Sequence, residues 1–330
     1  MDAFLHNLIC CPDCNSDLLY RGTILECTDC GIVFPLEDGI PLLFSRKVLQ
    51  DHLYQGYQDQ YNKIAEDLHE VYLKETRYIE MGYLEKLSYH IFQWPSALRQ
   101  WKSVGKIHKR METMRRFIGP TSDLTILDVG AGEARLLSFL GGKKVAFDIS
   151  PYHLKYTKGD GLARVAGFAE RLPFKDKVFD LVISAAVLEH VLRAEDIAGE
   201  MTRVTKSSGR IIVETPFNEA PERLHQLRED YKTPIVEKPS AQRKERRRPP
   251  TLHLRNFENI EDLEALFPNL QANRINFYAY KRKRSLPRWL KMLLRPMRWM
   301  PDSFKQSLPT LFIPTMVQVE LILKKQPKKS

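Results

Sequence analysis

Apolar positions gather into short runs through the middle of the chain. Thr125-Ile-Leu-Asp-Val129, Lys144-Val-Ala-Phe-Asp148, Val178-Phe-Asp-Leu-Val-Ile-Ser184 and Gly209-Arg-Ile-Ile-Val-Glu214 each read as a strand, with helical stretches between them. Strands alternating with helices predict an α/β fold, a parallel sheet with helices on both faces. Two later stretches, QANRINFYAY at 271–280 and TMVQVELIL at 315–323, alternate well enough to be strands as well. Near the N-terminus, GIVFPLEDGIPLLF reads as apolar strands around an Asp38-Gly39 turn. Between the two strand-rich regions lies a helical, tyrosine-rich stretch, 51–118, holding seven of the thirteen tyrosines. The expected organisation is a small module at 1–48, a helical linker or cap at 49–118 and a large domain at 119–330.

Composition narrows the setting. A chain of 330 residues has room for one large domain with accessories. The opening MDAFLHNLICCPDC lacks a basic start and a continuous apolar run, so no signal peptide is expected, and no window approaches a membrane span. All five cysteines lie within residues 10–30, a distribution that predicts a metal site in a reducing cytoplasm rather than a disulfide framework. The net charge of +10 belongs to the C-terminal end: residues 281–330 carry thirteen Lys/Arg against Asp302 and Glu320 alone. The other 280 residues balance 38 basic against 39 acidic side chains, so an anionic partner is expected to meet the last fifty.

Cys11-Pro-Asp-Cys14 and Cys27-Thr-Asp-Cys30 are two C-x2-C knuckles twelve residues apart. Each turn offers two thiolates, and four complete a tetrahedron around Zn²⁺. With every position filled by sulfur there is no place for a catalytic water, so the predicted zinc is structural. Cys10 is expected to be a thiol outside the set. Together CPDC, CTDC and FPLEDGIPLLF resemble the zinc-ribbon module found as a small methyltransferase-activator subunit or fused ahead of methyltransferases.

The first strand of the large domain runs into Gly130-Ala-Gly132-Glu-Ala134-Arg135 and then what reads as an apolar helix start. A glycine turn there lets a ligand approach the backbone at the strand's C-terminal end. The dinucleotide fingerprint needs a small residue three positions beyond Gly132, and Arg135 stands there, so a nicotinamide reading fails. The spacing D-x-G-x-G fits instead, with Asp148 closing the second strand where a carboxylate can accept both ribose hydroxyls.

ILDVGAGEARLL, VAFDIS, GFAERLPFKDKVFDLVISAAVLEHV and RVTKSSGRIIVETP resemble successive motifs of the class I S-adenosylmethionine-dependent methyltransferases. The likeness is strongest to the branch that methylates quinones, lipids and other small molecules, and it covers about residues 120–216. It implies a Rossmann-like seven-stranded sheet behind the N-terminal zinc ribbon, with S-adenosyl-L-methionine as cofactor. It also implies site residues. Asp128, Gly130, Ala131 and Gly132 line the methionine and ribose part, Asp148 holds the ribose and Ile149 packs on the adenine. Ala169 and Glu170 lie beside the adenine edge, and Ser184 ends the fourth strand facing the methionine. Two positions depart from the family. Ala134 replaces the third glycine, a change the helix start is expected to tolerate, and Phe168 stands where an acid often meets the adenine amino group. Glu170 either substitutes for that acid or is a solvated surface carboxylate.

Methyl transfer from a sulfonium is an in-line displacement, which rewards alignment and exclusion of water; a base is needed only when the nucleophile must shed a proton. His190, in LEHV, and His253, in HLRNF, are the candidates, with capping or packing as the plain alternative for each. Tyr61, in YQDQYNKIAEDL, is similar in position to an N-terminal helix that covers the cofactor in this family, or packs on the sheet. The polar stretch 218–250, with its basic run Arg243–Arg248, is expected to be a mobile lid or only a solvated surface.

By the family topology the strands at 271–280 and 315–323 are the sixth and seventh and run antiparallel, so 281–314 is an insertion between them. On a helical wheel over LPRWLKMLLRPMRWM, Arg288, Lys291, Arg295 and Arg298 share one side, and Leu286, Trp289, Leu290, Leu293 and Met297 the other. That sidedness, behind Lys281–Arg284, predicts a helix lying on an anionic membrane surface, at about 1 kcal/mol for each basic residue. Packing on the enzyme's own sheet or a partner is the alternative, and Pro296 would kink or end the helix.

Three functions compete. The first is an enzyme methylating a small-molecule or lipid-linked acceptor, peripheral on the inner face of a membrane. The second is an RNA methyltransferase: the ribbon-plus-domain order resembles the ribosomal RNA guanine-N1 enzymes, although their ribbon uses a histidine where this chain has Cys30. The third is a non-catalytic scaffold, against which Asp128, Gly130, Gly132 and Asp148 stand. The sequence assigns neither the acceptor atom nor an oligomeric state.

Overall fold

The computed structural model describes residues 2–51, 110–157, 161–217, 257–282, 286–294 and 300–324, with 54, 58, 59, 61, 62, 65, 66, 255 and 297. These residues divide into two compact units, one within 1–175 and the other beginning at Asp176.

In the first unit, Asp2 caps a short helix α1 (Ala3–Leu8) by accepting from the Phe4 N–H. Strands β1 (Leu18–Tyr20), β2 (Ile24–Cys27), β3 (Val33–Glu37) and β4 (Ile40–Pro41) follow as an antiparallel sheet in that order. The β3–β4 turn has Asp38 and Gly39 both at positive φ, +49° and +74°, the twist a two-residue hairpin requires. After helix α2 (Arg46–Leu49) come β5 (Thr125–Val129), β6 (Lys143–Asp148), helix α3 (Pro151–Lys155) and β7 (Leu162–Ala166), with β5, β6 and β7 parallel.

The ribbon is joined to this parallel set by main chain. Leu42, just past β4, bridges Ala166 of β7 in parallel, and the Leu43 N–H donates to the Ala166 carbonyl at 2.8 Å. A second seam forms where Cys10 N–H donates to Pro173 O and Lys175 N–H to Leu8 O. The ion pairs Asp38–Lys155 and Asp17–Lys175 lie at the rim of these contacts, where solvent leaves such pairs little energetic weight.

The second unit holds β8 (Phe179–Ala185), helix α4 (Ala194–Val204), β9 (Thr205–Pro216), helix α5 (Ile260–Glu264) and β10 (Leu270–Tyr278). The insertion follows, as β11 (Lys281–Arg282), helices α6 (Arg288–Leu293) and α7 (Asp302–Gln306) and β12 (Phe312–Ile313), and β13 (Met316–Leu323) ends the series. Helix α4 buries Ala194, Ile197, Ala198, Met201 and Val204, one stripe at helical spacing, and puts Glu195 and Asp196 in its first turn, where the helix dipole favours them.

The seven principal strands take the order β10-β13-β9-β8-β5-β6-β7, with β13 running against β9 and β10. This is the Rossmann-like seven-stranded sheet expected, and residues 281–314 do fall between its last two strands. Two local expectations change, and one strand is added. No α-helix starts after the glycine turn: residues 132–136 form turns and a 3₁₀ segment spans Leu137–Phe139. Strand β9 begins at Thr205, four residues earlier than its apolar run, and β7 is a strand that the sequence pattern did not single out. Helix α6 ends at Leu293, short of Pro296, whose missing N–H and ring disfavour helix at and before it.

Candidate functional site

In the first unit, Asp128 lies one residue before the C-terminal end of β5, 3% exposed. The chain then turns through Gly130 (φ +75°) and Gly132 (φ +55°), with the Gly130 and Ala131 N–H groups donating to the Phe147 carbonyl. Ala134 adopts φ +53°, a left-handed conformation that costs an L-residue on the order of 1 kcal/mol. The alanine is thus held by a turn under strain and not by a helix start.

Asp148 ends β6 and accepts two backbone N–H groups, from Gly132 on Oδ2 and from Ser150 on Oδ1, both at 2.8 Å. The glycine turn and the ribose-type carboxylate are therefore one hydrogen-bonded assembly. Burial, then the neighbouring Asp148 charge, pushes the Asp128 carboxyl up to about 7, with Arg110 opposing. Ile149, Ala131 and Ala169 are each half-buried on the loops around this pair.

Glu170 is buried and not a surface acid: it accepts a hydrogen bond from the Tyr54 hydroxyl at 2.8 Å. Tyr61 lies on helical backbone, half-buried, and its near neighbour Asn62 accepts from the Ser150 hydroxyl at 2.7 Å. Sequence reasoning missed Tyr54, and it also missed His153. The His153 Nδ1 lies 3.9 Å from Asp148 Oδ1, and its buried Nε2 has no hydrogen-bond partner among the described residues. Neither residue belongs to a motif. Tyr54 reaches Glu170 across 116 positions, and His153 merely occupies the first turn of α3.

In the second unit, Ser184 stands near the end of β8, its buried hydroxyl without a hydrogen-bond partner among the described residues. His190 sits in a turn ahead of α4, with Nε2 3.8 Å from Oε1 of Glu189. Glu189 itself is fully buried and accepts from the Thr215 hydroxyl at 3.3 Å. The sequence drew attention to the histidine of LEHV, whereas the buried carboxylate beside it is the costlier group to place there. His253 and the basic run 243–248 lie outside the described residues.

The ribbon gathers the Sγ atoms of Cys11, Cys14, Cys27 and Cys30 within 4.8 Å of one another, with Cys11–Cys30 at 3.7 Å and Cys14–Cys27 at 3.3 Å. A tetrahedral Zn²⁺ with Zn–S bonds of about 2.3 Å sets its sulfurs about 3.8 Å apart, so the four thiols fit it. Hydrogen bonds from Ser16 bring Cys14 down to about 6, while burial pushes Cys11 and Cys30 up. Zinc would take all four as thiolates and release their protons. Cys10 is buried and does not belong to that group.

Helix α6 presents Trp289, Met292 and Leu293 to solvent, 64%, 69% and 68% exposed, at the i, i+3, i+4 positions of one face. Leu286, Leu290 and Met297 are half-buried and Leu294 buried, so the exposed apolar set keeps Trp289 and Leu293 of the wheel's five and gains Met292. No helix among the described residues is long and apolar enough to cross a membrane.

Residues 127–213 match the model of a family described as a methyltransferase domain. Over 122 residues the chain is 34% identical to the demethylmenaquinone methyltransferase of Mycolicibacterium paratuberculosis, covering 35% of this chain and 53% of that protein. It is 39% identical over 111 residues to the enzyme of the same name from Mycobacterium sp. strain KMS, covering 31% and 46%. The chain thus spans about half the length of the curated relatives it matches. Among solved structures, a geranyl diphosphate C-methyltransferase from Streptomyces coelicolor A3(2), complexed with S-adenosyl-L-homocysteine, aligns with a TM-score of 0.43 and 13% identity. That alignment covers 65% of this chain and 75% of the other. A SAM-dependent methyltransferase from Archaeoglobus fulgidus aligns at 0.43 and 17%, covering 65% and 93%. The matched segment is thus similar to methyltransferase domains, and the four-cysteine ribbon lies ahead of it in the chain.

Proposed function

We propose that this chain transfers a methyl group from S-adenosyl-L-methionine to a small-molecule acceptor of quinone or lipid-linked type, working against an anionic membrane surface. The observation that carries the reading is the Asp128–glycine turn–Asp148 assembly, lying within the segment that matches the methyltransferase family. When bound, the cofactor supplies an electrophilic methyl on a sulfonium. Asp148 would accept from the ribose hydroxyls once its bond to the Gly132 N–H gives way. Asp128 and the open backbone of Gly130–Gly132 would hold the methionine and ribose part, and Ile149 and Ala169 would border the adenine. Ser184, His190 and Glu189 are the groups of the second unit available to orient an acceptor or take its proton. The four cysteines would hold a structural zinc.

The acceptor class rests on the mycobacterial relatives, which are named for a quinone substrate. The membrane rests on α6: three large apolar side chains on one exposed face, with no acid between Lys281 and Pro301. One labelling experiment tests the acceptor and the cofactor together. Protein with tritiated S-adenosylmethionine is given a demethylated quinol in anionic vesicles and, separately, total RNA. Label in the organic phase is expected. Label in RNA alone would overturn the acceptor class, and failure of calorimetry to detect S-adenosylhomocysteine binding would overturn the cofactor reading.

A further inference from the structure

The position where an acid is expected at the adenine edge is Phe168, and the structure shows what that residue does instead. Phe168 is 1% exposed, and its ring is met edge-on by Phe44 at 5.2 Å and by Tyr54 at 5.6 Å. The side chain is an anchor for the segment leaving the ribbon and is unavailable to a ligand. Just before it, a Cβ on Gly167 would stand 2.8 Å from the Leu43 carbonyl, so backbone packs on backbone with no room between. The Gly167 N–H donates to the Asp148 carbonyl at 3.1 Å, which ties this loop to the strand end that carries the ribose carboxylate.

Two residues further on, Glu170 is 8% exposed and bound by the hydroxyl of Tyr54, itself 3% exposed. A buried carboxylate held by a buried donor has one orientation, and such charge-assisted bonds are among the stronger ones. We infer that Tyr54 is a positioning residue of the cofactor site: it fixes Glu170 so that this carboxylate recognises the adenine amino group in place of the acid replaced by Phe168. The chain thereby moves adenine selection two residues along its loop and makes it depend on the segment emerging from the ribbon. This rests on the methyltransferase reading of the same loops.

Calorimetry on the zinc-loaded full chain tests it with S-adenosylhomocysteine and with S-inosylhomocysteine, in which the adenine amino group is replaced by a carbonyl. Tyr54→Phe keeps the ring on Phe168 and removes only the donor. It is expected to weaken S-adenosylhomocysteine about ten-fold, the equivalent of one good hydrogen bond, and the inosine ligand less than about two-fold. Glu170→Gln should do the same, and the double variant should be no weaker than either single one, because both act through one carboxylate. Equal weakening of the two ligands, no weakening, or additive losses would each overturn the inference while leaving the cofactor reading intact. Wild-type protein that binds neither ligand overturns both. Melting of each variant without ligand identifies one that has unfolded, and Glu170→Gln alone still decides through the ratio of the two affinities.

Discussion

The cysteine ribbon and helix α6 are both short, chemically biased segments, and they meet solvent in opposite ways. The knuckles turn their reactive groups toward one another, to within 4.8 Å, with Cys11 and Cys27 buried and Cys30 at the surface, and the ribbon's two ends bond to Pro173 and to β7. Helix α6 turns its heaviest side chains outward, with Trp289, Met292 and Leu293 all more than half exposed. A motif that satisfies a metal closes on itself, and its geometry is fixed by the ion's coordination. An amphipathic pattern fixes only sidedness; what covers the apolar side is decided by whatever the rest of the molecule leaves unburied.

The sharpest way to break this contrast is to remove the metal. Chelation, or Cys27→Ser, should abolish folding of the ribbon, a loss on the order of 10 kcal/mol of metal-linked free energy, seen as a lost low-field amide set by NMR. Next in size, Asp148→Ala should weaken S-adenosylhomocysteine at least about 100-fold by calorimetry, since it removes the ribose acceptor and the bond that shapes the glycine turn. On the other side of the contrast, Trp289→Ala with Met292→Ser should lower partition into anionic vesicles by about ten-fold or more in flotation, and added salt should weaken the wild type further. Flotation unchanged by either treatment would remove the membrane from the picture.

A smaller effect is expected from pH. Asp128 has its folded pKa raised to about 7, above the unfolded carboxylate value, so the folded state holds a proton that the unfolded state has lost. Stability therefore falls as pH rises from about 4 to about 7, and Asp128→Asn should flatten that slope in urea titrations. A cationic cofactor prefers the ionised carboxylate, so its affinity should increase between pH 6 and pH 8, with a proton released on binding. The smallest effect is Ala134→Gly, which relieves a left-handed alanine and should raise stability by about 0.5–1 kcal/mol by thermal melting.

Much of the frame was legible because it is written locally. Asp128, the glycine pair and Asp148 announce a strand–turn–strand site through spacing alone, and the cysteine knuckles announce their ion. Strand β7 was not legible: LARVA is five residues with Arg164 at its centre, and its burial comes from its neighbours. Helix α6 was legible in kind, and Pro296 marked its limit, but its exposed stripe was not, because tertiary burial of Leu294 leaves Met292 outward. The Tyr54–Glu170 bond and the approach of His153 to Asp148 had no local signature, being products of the packing of distant segments.

The bridge from Leu42 to Ala166 has a consequence for handling the protein. Strand β7 closes one margin of the sheet, and an uncovered margin offers unpaired amides to any passing strand. The ribbon's exit segment occupies that margin, so a truncation starting after residue 50 would leave it bare. Such a shortened protein is expected to self-associate through strand pairing, making the ribbon a guard against aggregation as well as a metal module.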